Sequence, residues 1–158
     1  MAYATMKALV YEGPRVMNVR EVPVPDPLVD EVLIRVERVG ICGSELSGYL
    51  GENELRKPPL IMGHEFSGVV EKVGAGVNGI RIGDRVTVNP LMSCGNCRRC
   101  RGGTPQLCAE RKVIGVARPG AFAQYVAVPA GQVVKLPDSV TMDAGALTEP
   151  LACAIHAA

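Results

Sequence analysis

Short β-branched runs, broken repeatedly by glycine and proline, carry most of the apolar residues of this chain. Residues 6–10 (MKALV) read as a first strand, and 22–27 (VPVPDP) as stiff extended chain, because each proline removes a donor and restricts its neighbour. The run 31–40 partly alternates apolar with charged residues and predicts a strand with one wetted face. The segment ICGSEL predicts a turn that launches a short helix, with Ser44 as its cap. GENELRKPP, 51–59, predicts a polar surface loop. Further strands are expected at 66–74, 84–88, 121–129 and 131–137, while 89–111 shows almost no strand pattern. From about Thr141 the texture becomes alanine-rich and helix-prone, with Pro150 interrupting it or starting a turn. The helical pattern reaches residue 158 without a glycine or proline stop, which predicts a further domain beyond it.

Composition narrows the class. The chain has 158 residues, enough for one domain with a real core, and 47% hydrophobic and 21% charged residues are ordinary for a globular protein. With 18 glycines and 12 prolines spread along the chain, many short strands and tight turns are favoured over long helices. A formal net charge of +1 argues against a nucleic-acid surface. No apolar run approaches a membrane span, and the N-terminal stretch MAYATMKALVY lacks the apolar core and cleavage site of a secretion signal. A soluble cytoplasmic protein is expected.

Gly74, Gly76 and Gly79 match the G-x-G-x-x-G dinucleotide fingerprint and come after a predicted strand. That fingerprint requires a helix next, so that phosphate meets a helix N-terminus. The next residues here are IRIGDRV, a turn and another strand, so the glycines read as a hairpin connection with no cofactor role.

The six cysteines carry the chemistry. Cys94, Cys97, Cys100 and Cys108 form C-x2-C-x2-C-x7-C, a spacing that suits convergence on one tetrahedral zinc better than pairing with distant partners. Arg98, Arg99 and Arg101 interleave with these thiols and would offset their charge. An iron–sulfur cluster is the rival metal, weakened by the seven-residue interval and the lack of a proline after the last cysteine. A closed four-thiolate site staples a loop and does no chemistry.

A second constellation is spread along the chain: Cys42 at a strand end, His64 and Glu65 at the start of another strand, and Glu149 in the terminal helical segment. One thiol, one imidazole and one carboxylate leave a zinc position open for water or substrate. Read singly, Cys42 suits a core thiol and His64–Glu65 suits polar surface. Gly40 and Gly43 around Cys42, and Gly63 and Gly68 around the His–Glu pair, suit backbones that approach closely.

GICGSE, IMGHEFSGVVEKVGAGV, the GDRV turn, CGNCRRCRGGTPQLC, GAFAQYVAV and ALTEPLACAIHA together resemble the medium-chain, zinc-dependent alcohol and polyol dehydrogenases over essentially the whole chain. The resemblance implies a mainly β fold, a distorted GroES-like barrel over residues 1–158 with short helices. It implies a structural-zinc lobe at about 89–111 and a connection at 141–158 toward a Rossmann domain absent from this chain. It implies two zincs per chain, NAD or NADP as cofactor, and a homodimer or homotetramer as the full-length enzyme. Cys42, His64 and Glu149 then match the catalytic-zinc ligands, Glu65 an exchangeable ligand or a residue that acts on the zinc site without binding the ion, and the four lobe cysteines the structural site. Glu149 within TEPLA resembles the sorbitol and threonine dehydrogenase branch rather than the alcohol branch. Cys153, four residues on, is a reserve ligand or a residue of the pocket or core. The family's histidine five positions after the zinc cysteine is Ser47 here, which leaves proton exit to Ser44 and water, or to zinc-bound water and Glu65. Glu45 stands where the family has aspartate and is expected to orient a ligand.

The resulting expectation is oxidation of a secondary hydroxyl of a polyol, sugar or related alcohol by hydride transfer to a nicotinamide held beyond residue 158, so that the chain alone is inactive. Threonine or a simple secondary alcohol is the alternative substrate. A non-catalytic, zinc-stabilised interaction module and a zinc-ribbon nucleic-acid binder are the rival classes.

Overall fold

The computed structural model describes residues 5–158. Residues 1–4, part of the N-terminal stretch read above as lacking a leader, lie outside the described residues. Among the described residues there are ten strands and four α-helices. Strand β1 (Thr5–Gly13) lies between β2 (Val16–Pro23) and β4 (Leu60–Ile61) in a three-stranded sheet. A five-stranded sheet has the order β10 (Val133–Lys135), β6 (Arg85–Val88), β5 (Phe66–Val73), β3 (Glu31–Val39), β9 (Tyr125–Pro129). A two-stranded ribbon joins β7 (Leu91–Met92) to β8 (Lys112–Val113). Every named ladder among the described residues is antiparallel, so no Rossmann-type parallel sheet is present among them.

Strand β3 is an interior strand between β5 and β9, and its first half is buried on both faces. Val32 and Ile34 join Phe66, Val70, Val86, Val126 and Val128 in the main core, while Leu33 packs on the other side with Met6, Tyr125 and Ala127. The expected single wetted face therefore holds only toward its C-terminal end, where Arg38 and Val39 are exposed. β-Branched residues pack this two-sided core in the near absence of aromatics, and Phe66, 1% exposed, is its largest fully buried side chain.

The expectation of a barrel is corrected: this is a mixed domain of strands and short helices whose sheets do not close. Strand β10 pairs only with β6, and β9 only with β3. Between β9 and β1 the chain makes single contacts rather than a ladder. Leu9 N–H donates to Phe122 (2.7 Å), Gln124 N–H to Lys7 (3.1 Å), and one isolated bridge joins Ala8 to Ala123. Strand β9 ends at Pro129, whose ring nitrogen has no hydrogen to give a further ladder.

The helices are short: α1 (Gly43–Leu50), α2 (Arg98–Arg101), α3 (Met142–Ala146) and α4 (Thr148–Ala157). Cys42, not Ser44, is the N-cap of α1. Helix α3 is capped by Thr141, whose hydroxyl accepts from Ala144 N–H at 3.2 Å. It is tied to β5 because the buried Ser67 hydroxyl donates to the Met142 carbonyl at 2.6 Å. Pro150 does not interrupt the helical segment; it lies in the first turn of α4, where no intrahelical acceptor awaits its missing N–H. Among the described residues, no helix is long and apolar enough to cross a membrane.

Candidate metal centres

The ribbon β7–β8 clamps the root of a loop that carries the four cysteines. Cys97 caps α2, Cys100 lies within it, and a 3-10 turn at Pro105–Leu107 leads into Cys108. Gly95 (φ +74°) and Gly103 (φ +78°) turn the backbone through the left-handed region that residues with a Cβ resist. All four thiols are free, and their sulfurs lie within 4.8 Å of one another. The Cys97–Cys100 and Cys94–Cys108 sulfurs are each 3.5 Å apart, and Cys94–Cys100 3.8 Å. A tetrahedral ion with bonds of about 2.3 Å requires sulfur–sulfur edges of about 3.8 Å, so the four side chains fit one zinc. The same spacing is far too long for disulfides, whose sulfurs are about 2.0 Å apart, and too compact for a cluster of several irons. Arg98, Arg99 and Arg101 are exposed around the site. The Cys108 thiol is pushed up to about 11: a backbone N–H of residue 94 pulls it down, but burial and the neighbouring thiols outweigh that. Any metal here must displace protons from crowded thiols.

The second cluster is assembled by strand register. Pairing of Val39 with Phe66 sets residues 40–42 beside 64–65, and Gly40 N–H donates to the Glu65 carbonyl at 2.7 Å. A Cβ on Gly40 would lie 2.6 Å from the Glu65 carboxylate, so glycine is what admits that side chain. The sulfur of Cys42, a ring nitrogen of His64 and a carboxylate oxygen of Glu65 all lie within 4.8 Å of one another. His64 and Glu65 are each 8% exposed. This borderline donor set suits zinc. The interaction-module alternative would set Cys42, His64 and Glu149 apart; Cys42 and His64 are together, and Glu149 is outside the group.

Behind the cluster lies Glu45, on the first turn of α1 and 2% exposed. One carboxylate oxygen accepts from the Cys42 N–H (3.0 Å); the other lies 2.6 Å from His64 Nδ1 and accepts from Arg56 (2.9 Å). Burial pushes the Glu45 carboxyl up, but its contact with His64 and the charge of Arg56 hold it below the usual carboxylate range. Burial pushes His64 down, and Glu45, with Glu149 further off, more than offsets it, so the imidazole ends above its ordinary value. With Nδ1 directed at Glu45, Nε2 is the nitrogen left to face a metal.

The remaining expected residues divide. Glu149, half-buried on α4, is outside the three-residue cluster, yet it lines with His64, Thr87, Cys153 and His156 a cavity of about 520 Å³. Cys153 is exposed and its thiol donates to the Glu149 carboxylate at 3.4 Å, so it is not a core residue. Ser44 Oγ is engaged by Arg56 at 3.0 Å, and Ser47 Oγ donates to the Ser44 carbonyl at 3.1 Å. Arg56 was missed: the sequence places it in a polar surface loop, and it is 5% exposed. Nothing in ELRKPP distinguishes it from Lys57, and only the fold-back of the loop onto α1 buries it.

The chain matches the alcohol dehydrogenase GroES-like domain over residues 29–138. It is 43% identical over 157 residues to an L-threonine 3-dehydrogenase of Stenotrophomonas maltophilia, covering 97% of this chain and 46% of that protein. Among solved structures, it superposes with a TM-score of 0.91 and 38% identity on the short chain alcohol dehydrogenase rspB of Escherichia coli CFT073, complexed with NADH, covering 97% of this chain and 44% of the other. It superposes on galactitol-1-phosphate dehydrogenase of Escherichia coli with a TM-score of 0.92 and 35% identity, covering 96% and 44%. The chain thus spans about half the length of the curated relatives it matches. It belongs to the family of alcohol dehydrogenase GroES-like, zinc-binding domains.

Proposed function

We propose that this chain is the zinc-binding catalytic part of an NAD(P)-linked dehydrogenase that converts a secondary alcohol to a ketone. The observation that carries the reading is the convergence of Cys42, His64 and Glu65 beside a cavity that Glu149 also lines. When bound, zinc supplies Lewis-acid polarisation of a substrate hydroxyl. Cys42 and His64 hold the ion, and Glu65 and Glu149 are the carboxylates available to complete its set. Glu45 accepts the His64 Nδ1 hydrogen and so keeps the opposite ring nitrogen pointed outward. Cys94, Cys97, Cys100 and Cys108 would hold a second zinc entirely with thiolates, and that ion would keep the lobe in shape. Asn89 and Gln106 give the cavity amide groups among Pro90, Leu91 and Val113, which could orient a hydroxylated substrate. Threonine is the alternative substrate, favoured by the 43% identity to a threonine dehydrogenase. The dinucleotide is held by residues other than 1–158.

Zinc counting tests the reading. Purified residues 1–158 should hold two zincs, and Cys42→Ala should hold one. A wild-type count of one, retained by Cys42→Ala, would sink the catalytic site and leave only the staple. NAD(P)-dependent alcohol oxidation by pure residues 1–158 would overturn the placement of the dinucleotide elsewhere.

A further inference from the structure

We propose that Arg56 is a positioning residue for the Cys42–His64 metal site, acting through Glu45; the inference rests on the zinc reading of that site. Arg56 comes from the loop between α1 and β4, and its side chain, like that of Glu45, is 2% exposed. A buried guanidinium needs several acceptors to replace water, and this one has three. One terminal nitrogen donates to the Gly115 carbonyl. The other donates to Glu45 Oε1 (2.9 Å) and to Ser44 Oγ (3.0 Å). These contacts pin the guanidinium to two elements, α1 and the loop at residue 115, with Glu45 between it and the ligands. The buried Nε–H has no partner among the described residues, so this position is held at the expense of one unsatisfied donor.

Room for the arginine stem is built in. A Cβ on Gly48 would lie 2.6 Å from Arg56 Cγ, so a glycine on the inner face of α1 admits the side chain. The geometry then runs in one line: Arg56 fixes Glu45, Glu45 receives the Cys42 backbone N–H through one oxygen and faces His64 Nδ1 through the other. One carboxylate therefore sets both the backbone of one ligand residue and the ring of another. An imidazole bound to metal is neutral and offers Glu45 no countercharge, which leaves Arg56 as the cation that balances the buried carboxylate. Lysine would keep the charge but lose the fork that reaches Glu45, Ser44 and Gly115 together.

The test is chelator competition on residues 1–158, which separates two classes of zinc. Cys42→Ala identifies the class belonging to the Cys42 site. Arg56→Met should weaken that class about 10–100-fold and leave the four-cysteine class unchanged. Arg56→Lys should recover part of the loss. Adding Glu45→Gln to Arg56→Met should cost little more than Arg56→Met alone, because the two act on one path. Wild-type affinity at the Cys42 site in Arg56→Met overturns the proposal, as does a fully additive double variant. If Arg56→Met does not fold, Arg56→Lys carries the test, and wild-type affinity there overturns the proposal. A wild-type chain holding only the four-cysteine zinc would instead overturn the functional reading itself, and this inference with it.

Discussion

Gly74→Ala adds a single methyl group and gives a sharp test of what the glycine triplet does. That methyl would lie 2.1 Å from the Leu28 carbonyl oxygen, 2.6 Å from that of Val29 and 2.8 Å from the Val29 carbonyl carbon. All three are backbone atoms, so no side chain can swing away. Relief requires the 28–29 segment to retreat by about 1 Å, given ordinary carbon–oxygen contacts. The same segment is held by Gly76 N–H donating to Val29 (2.7 Å) and by Gly74 N–H donating to Glu31 (2.8 Å). Overpacking costs about 1–3 kcal/mol, and weakening these bonds adds up to about 1 kcal/mol. The expected loss of about 1–4 kcal/mol corresponds to roughly 2–16 °C in Tm for a domain of this size. Gly76→Ala should be milder, since its methyl would stand 3.0 Å from the Val29 oxygen. Gly79→Ala meets open space and carries only the penalty of φ +79°, about 1–2 kcal/mol. Thermal and urea unfolding of the three zinc-loaded variants measure the order. Equal stability of Gly74→Ala and wild type, or a larger loss in Gly79→Ala, would refute the packing argument. A phosphate-binding loop would instead show altered dinucleotide affinity at unchanged stability.

Three other outcomes are expected. Burial pushes the Glu31 carboxyl up, but Arg118 at 2.7 Å and the Leu28 N–H hold it below the usual range. A carboxyl depressed on folding stabilises above the unfolded value of about 4.3 and loses that contribution as pH falls through the folded one. Glu31→Gln should therefore cost about 2 kcal/mol at neutral pH, and its gap from wild type should close below about pH 4 in urea titrations. Ser67→Ala removes the 2.6 Å bond to Met142 and should cost about 1–2 kcal/mol, with faster hydrogen exchange in α3. Stripping zinc with a chelator should raise exchange across 89–111 while the β3–β5 ladder keeps its protection.

Local signals were legible and long-range ones were not. Strands β3, β5 and β6 fall within a residue or so of the predicted runs, because β-branched patterning and flanking glycines are local. The four thiols were legible for the same reason: their spacing keeps them in one loop. Strand β2 was missed past residue 16 because VMNVREVP is largely exposed, and its pairing with β1 rather than its own pattern makes it a strand. Two-residue β7 and β8 carry no periodicity at all. Cys42, His64 and Glu65 were found, but their meeting depends on the register of β3 against β5, which no spacing encodes. Glu149, expected as a further ligand, is outside the three-residue group and lines the cavity that His64 also lines. Burial of Arg56 and the second buried face of β3 both arise from tertiary packing that the polar string and the alternation disguise.

A sheet left open at both ends has unsatisfied hydrogen-bonding rims, and such rims invite other chains to add themselves. The outermost strands here are truncated and punctuated: one has three residues, ends in Lys135 and is followed by Pro137, and the other has five and stops at Pro129. The smaller sheet is treated alike, with Pro23 ending one border and a two-residue strand forming the opposite one. Protection of these margins against edge-to-edge pairing thus rests on a handful of prolines and a lysine, and a valine in place of one of them would remove part of it.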